Sequence, residues 1–195
     1  GEQSGFINEM GFETYQKILD EAINELKEDS FKNLDLEKNK FSKKVNLVFE
    51  TDLELMFPNN YINSSTERLK LYTQLNKICE LDELNLFKLE LTDRFGTLPN
   101  VVVELLNSLE LRWLAGALGF DKIVLKKNIL ISYIMNFDSD EQKKKIDKLF
   151  DYSKLNPNSI SFSQKKLAEG DRFIVKIKNI DSVSKAIKVL EDINT

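Results

Sequence analysis

Apolar residues recur near the start of the chain as Phe12, Tyr15, Leu19, Ala22, Ile23 and Leu26, a helical spacing that predicts a one-sided helix over 11–28. Such a helix needs a partner surface. Over 29–44 the apolar positions are too sparse to define a face, and Lys32, Lys38, Lys40, Lys43 and Lys44 mingle with acidic and polar residues. This stretch reads as an exposed linker, with a domain boundary near Lys44. Val45, Leu47 and Phe49 then alternate with Asn46, Val48 and Glu50, the pattern of a half-buried strand. Pro58 and the Asn59-Asn60 pair interrupt regular structure. The run SSTE at 64–67 is a capping box, with Ser64 and Glu67 reciprocally satisfying backbone donors, and it opens a helix over 65–78 with Leu69, Tyr72 and Leu75 inward.

Leu84, Phe87, Leu91 and Phe95 form the core stripe of the next helix, and Gly96 is the residue past its end. Pro99 suits the first turn of another helix. The run 101–118 is apolar on nearly every side, so it should lie centrally with Trp113 in the core, and Gly116 and Gly119 bracket its end. Short β-like runs follow at 122–126 and 129–135, joined by a Lys127-Asn128 turn. A second capping box, SDEQ at 139–142, starts a helix with Ile146, Leu149 and Phe150 on one side. Strands at 160–163 and 172–178 precede a last helix carrying Val183, Ile187 and Leu190, with Asp181 as its cap. Helices first and then a ββαββα-like layer predict an α+β fold, an antiparallel sheet with helices packed on it.

Composition narrows the chemistry. The 195 residues are 42% hydrophobic and 31% charged, ordinary for a globular chain, and 28 basic against 32 acidic residues leave a net charge of -4. Nucleic-acid binding would therefore need a local patch. There is no histidine, which removes serine-histidine and cysteine-histidine catalysis, and Cys79 is the single cysteine, so no disulfide or thiolate zinc site forms within the chain. A reducing, cytoplasmic setting is expected. No run of about eighteen apolar residues is present, and the opening lacks an initiator methionine, as a piece of a larger protein would.

No phosphate loop appears and the glycines are scattered, so no cofactor is expected in the chain itself. Basic residues gather at Lys143, Lys144 and Lys145, at Lys165 and Lys166, and along a strand at Arg172, Lys176 and Lys178. A solvated helix and an edge strand defended by lysine explain most of them, and a DNA-contacting role is the alternative. On a helical wheel the stripe ending at Phe95 leaves Glu90, Asp93 and Arg94 on a neighbouring face, with Leu86 one turn before Glu90. These charges read either as a solvated helix end or, as two carboxylates and a guanidinium beside an apolar anchor, as a docking patch for a surface bearing arginine and an aromatic ring.

Three stretches, GEQSGFINEMGFETY at 1–15, FPNNYI at 57–62 with RLKLY at 68–72, and ELTDRFGTLP at 90–99, resemble the C-terminal end of the bacterial transcription-repair coupling factor family. The resemblance runs in order from residue 1 to about residue 123 and departs at Asn63-Ser64-Ser65, where the family more often has proline and aspartate. It implies that 1–44 is the tail of a RecG-like translocase domain and 45–195 the C-terminal regulatory domain. Gln3 would match the glutamine of the translocation motif, while the ATPase motifs, with their ATP and magnesium, would lie upstream in the parent protein. The parent would act on double-stranded DNA and stalled RNA polymerase. The resemblance further implies that the C-terminal domain folds onto the protein's own N-terminal UvrB-like module through Glu90, Asp93 and Arg94, masking the surface that UvrA binds.

Overall fold

The computed structural model describes residues 47–135, 139–167 and 170–194. The helix expected over 11–28, the linker, the boundary near Lys44 and Gln3 lie outside the described residues. Among the described residues ten elements follow in order: β1 (Val48–Thr51), α1 (Ser65–Leu75), α2 (Leu81–Phe95), α3 (Asn100–Ala117), β2 (Lys122–Lys126), β3 (Ile129–Met135), α4 (Asp140–Leu155), β4 (Ile160–Leu167), β5 (Gly170–Lys178) and α5 (Val183–Asn194). The fold is α+β, as the pattern predicts. Contacts divide the described residues into two compact units, with 54–103 in the first and 47–53 with the described residues from 104 onwards in the second.

In the first unit, Leu84, Phe87 and Leu91 of α2 are buried, as are Leu71, Tyr72 and Leu75 of α1 and Leu55, Phe57 and Ile62 before it. Burying side chains of this size supplies the main stabilisation, about 1.5–3 kcal/mol each. Polar groups are placed where burial would otherwise strand them: the backbone N–H of Phe57 donates to the Tyr72 hydroxyl at 2.9 Å, with the two rings 4.9 Å apart. Leu69, expected inward, is 42% exposed. The helix is shorter than its pattern, ending at Leu75, and Leu69 sits on the side away from Leu71 and Leu75.

The second unit is built on a five-stranded sheet in the order β1-β2-β3-β5-β4. All neighbours are antiparallel except β1, which joins β2 in parallel. Leu130, Ser132 and Ile134 of β3 and Val175 and Ile177 of β5 are buried on one face. Phe150 of α4 meets Phe162 of β4 and Phe173 of β5 on that same inner face, at 4.8 and 6.1 Å between ring centroids. Phe150 is nevertheless 40% exposed, because its ring closes the rim of this cluster. Trp113 is half-buried, so the expectation of a core tryptophan is not met.

Two further expectations change. Arg172, Lys176 and Lys178 do not lie on an edge strand: β4 runs its full length from Ile160 to Leu167 along β5, which makes β5 internal. The alternating apolar pattern of β4 fades into Gln164-Lys165-Lys166, so the strand's second half is invisible to a periodicity argument but is held by the ladder. The cap of α5 is Ser182, whose hydroxyl accepts from the Lys185 N–H at 3.2 Å, whereas Asp181 pairs with the Lys185 ammonium at 3.6 Å.

Candidate docking face

Helix α2 exists because its N-terminal turn carries Asp82 and Glu83 and its last turn Arg94, charges that complement the helix dipole, and because one stripe finds a core. The side opposite that stripe is the candidate site. Leu86 and Leu89 are each 66% exposed there, and Asp93 is exposed four residues beyond Leu89. Positions three and four apart share a helix face, so Leu86, Leu89, Glu90 and Asp93 form one continuous patch. Leu89 is absent from the sequence-derived site. Its signal was present, since it falls outside the spacing of Leu84, Phe87 and Leu91, but an apolar residue is readily assigned to the core.

The C-terminal end of this helix is held from several directions. Arg94 pairs with Glu67 of α1 and, at 2.9 Å, with Glu90 one turn back. Its guanidinium also lies 4.8 Å from the centroid of the Phe95 ring, a cation–π distance. The hydrogen bond it donates to Glu67, followed by that to Glu90, holds the guanidinium above its ordinary pKa range, so it stays charged. The Tyr61 hydroxyl lies 3.2 Å from both the Leu91 and Gly96 carbonyls and shares its proton between them, while its ring meets Phe95 edge-on at 5.9 Å. Gly96 has φ 83° and ψ -161°, a region that only glycine occupies without strain, and this redirects the chain towards Pro99.

Glu67 departs from the capping-box expectation. Its N–H donates to the Ser64 hydroxyl at 3.2 Å, but its carboxylate goes to Arg94, where it meets a full opposite charge and not a neutral backbone donor. The loop at Asn63-Ser64-Ser65 is fixed without proline: Arg68 donates to the Ile62 carbonyl at 2.6 Å and to the Asn63 carbonyl at 3.3 Å.

The face is thus an apolar pair bordered by acids, with Glu90 half-neutralised by Arg94 and Asp93 exposed as an acceptor. It suits a partner offering arginine and an apolar or aromatic ring. Among the described residues no group of side chains has the composition of a metal site.

The predicted basic residues do not come together. Lys143 and Lys145 are on α4, paired with Asp140 at 3.7 Å and Glu141 at 2.8 Å, and Lys144 is exposed between them. The α4 helix covers the inner sheet face, whereas Arg172, Lys176 and Lys178 alternate with Phe173, Val175 and Ile177 and therefore belong to the outer face. No single DNA-contacting surface combines the two groups.

The model of the TRCF domain family matches residues 51–149. The chain is 30% identical over 170 residues to the transcription-repair-coupling factor of Rickettsia typhi, covering 86% of this chain and 14% of that protein. It is 33% identical over 126 residues to the transcription-repair-coupling factor of Haemophilus influenzae, covering 63% of this chain and 10% of that protein. The chain therefore spans about a seventh or less of the length of these curated relatives. A crystal structure of the C-terminal domain of a transcription-repair coupling factor superposes with a TM-score of 0.54 at 14% identity, covering 76% of this chain and 92% of the other, which bears on the fold alone.

Proposed function

This chain belongs to the TRCF domain family, and from that premise we propose that it is the regulatory C-terminal domain of a transcription-coupled DNA repair translocase. In this reading it docks on the UvrB-like N-terminal module of its own parent protein, masks the surface that UvrA binds and restrains the motor. ATP, magnesium and DNA chemistry belong to the rest of that parent. The domain contributes a contact, not a reaction.

The observation that carries the reading is the outward face of α2, where Leu86 and Leu89 stand exposed beside Glu90 and Asp93. Exposed leucines at the centre of an acidic patch are poorly solvated in isolation and gain by burial against a complementary surface. Asp93 accepts an incoming guanidinium, and Glu90 can exchange its intramolecular partner Arg94 for an external one. Glu67 then retains Arg94, so exchange does not strand the cation. A weak patch is enough, because tethering within one chain raises the effective concentration to about the millimolar range. Opening follows whenever polymerase and DNA stabilise the open form by more than the lost contacts.

The test is binding of this domain to the isolated N-terminal module. Glu90→Ala together with Asp93→Ala should weaken it by at least about tenfold, which corresponds to 1.4 kcal/mol. An unchanged affinity would remove this face from the mechanism.

A further inference from the structure

The sheet of the second unit has an outer face that is not written for water. Along β3 the inner positions are Leu130, Ser132 and Ile134, and the outer ones are Ile129, Ile131, Tyr133 and Met135. The one small polar residue of the strand, Ser132, points inward and is fully buried. A strand covered on one side alternates apolar with polar residues, whereas an apolar run at both parities belongs to a strand covered on both sides. The neighbouring strands agree. In register across the sheet, Val48 and Lys122 of β1 and β2 lead to Tyr133 and Ile174, and Val124 leads to Ile131 and Lys176. Val48 is 43% exposed, and Val124, Ile131, Tyr133 and Ile174 are each half-buried, so the described residues do not cover this face completely.

The charge on the face is one-sided. On the β1–β2 side Lys122 and Lys126 are both engaged by Glu50, the latter at 3.3 Å. On the β5 side Lys176 and Lys178 are exposed, and their register partners are Ile131 with Ser161 and Ile129, none of them acidic. Tyr133 is the sole aromatic residue in this register, so the face lacks the successive stacking platforms on which single-stranded nucleic acid depends. An aliphatic strip also gains nothing from phosphate.

We propose that this outer face binds an acidic amphipathic helix of a separate partner protein, its apolar stripe laid along β3 and its carboxylates over Lys176 and Lys178. Helix neighbours three and four apart are about 5–6 Å from one another, close to the about 6.6 Å between alternate residues of a strand, so the stripes can interdigitate. The asymmetry of charge fixes which flank of the helix lies over β5. The site is independent of the α2 face, and disabling either leaves the other testable.

The experiment is a titration of the isotope-labelled 195-residue chain, followed by amide NMR, with a synthetic eighteen-residue helical peptide bearing a leucine stripe and glutamate flanks. Shifts should concentrate at 129–135 and 172–178, and the same peptide with lysine flanks should bind at least about tenfold more weakly. Lys176→Glu with Lys178→Glu, both exposed and therefore tolerated by the fold, should reverse that preference. Ile131→Ser should weaken both peptides. A photo-reactive phenylalanine analogue in place of Tyr133 should cross-link to the acidic peptide. Equal binding of the two peptides, shifts elsewhere, or a cross-link into 11–28 or a second copy of the chain would each overturn the proposal. So would short single-stranded or duplex DNA producing the same shifts at lower concentration.

Discussion

Arg94 is gripped from two helices, by Glu67 and Glu90, and lies against Phe95, so it serves to set the end of α2 as much as to present charge. Asp93 is different: it is exposed and its removal leaves this network intact. Asp93→Ala should therefore change unfolding free energy by no more than about 0.5 kcal/mol while reducing docking, a separation that urea denaturation and binding can measure together. Gly96 shows the opposite behaviour. Nothing lies within 4 Å of a Cβ placed there, so the cost of Gly96→Ala is backbone strain alone, about 1–3 kcal/mol, read as a lower urea midpoint. Were Gly96→Ala neutral, the turn after α2 would be adaptable and would not fix the docking face. Gly96 was legible in the sequence as a stop because only glycine tolerates that turn. The role of Glu67 was not, since its partner lies twenty-seven residues away.

At the scale of elements, long-range polar pairs join pieces that hydrophobic patterning alone leaves unordered. Glu104 of α3 is buried and accepts from the N–H groups of Val183, at 2.5 Å, and Ser184, at 3.3 Å, and from the Ser184 hydroxyl, capping α5 from a distant helix. Glu104→Ala should destabilise by about 1–3 kcal/mol by stranding those donors, and a loss no larger than that of an exposed glutamate would contradict the cap. Glu50 holds β1 to β2. The hydrogen bond from Lys122 first, aided by Lys126 and opposed by burial, lowers its carboxyl below the ordinary range. A lowered native pKa means stability that is present above the unfolded carboxylate range and is lost as pH falls through the native value. Wild type should thus exceed Glu50→Gln near neutrality by less than about 1 kcal/mol, since the pair is half exposed, and the difference should vanish in acid. A gap independent of pH would refute the pairing.

The same scale shows why the pattern located elements better than it ordered them. Strands β2, β3 and β5 were visible from alternation or apolar runs, yet nothing local shows that β4 takes the edge and leaves β5 internal. Register across the sheet depends on contacts far apart in sequence. The separation of Lys143, Lys144 and Lys145 from Arg172, Lys176 and Lys178 follows from that topology, and a linear cluster of charge could not reveal it.

For the whole molecule, family membership and fold agree with what three short stretches of sequence imply, while the docking role is a proposal resting on one helix face. The two surfaces described, the acidic side of α2 and the basic, apolar outer sheet, carry opposite charge and call for opposite partners. The most direct measurement of the central claim is UvrA affinity of the intact parent protein with and without Leu86→Asp and Leu89→Asp in this domain. Both side chains are exposed, so the fold should survive, and UvrA should bind the variant at least about tenfold more tightly than the wild type. Equal affinities, with the domain still folded, would contradict a lock built on this face.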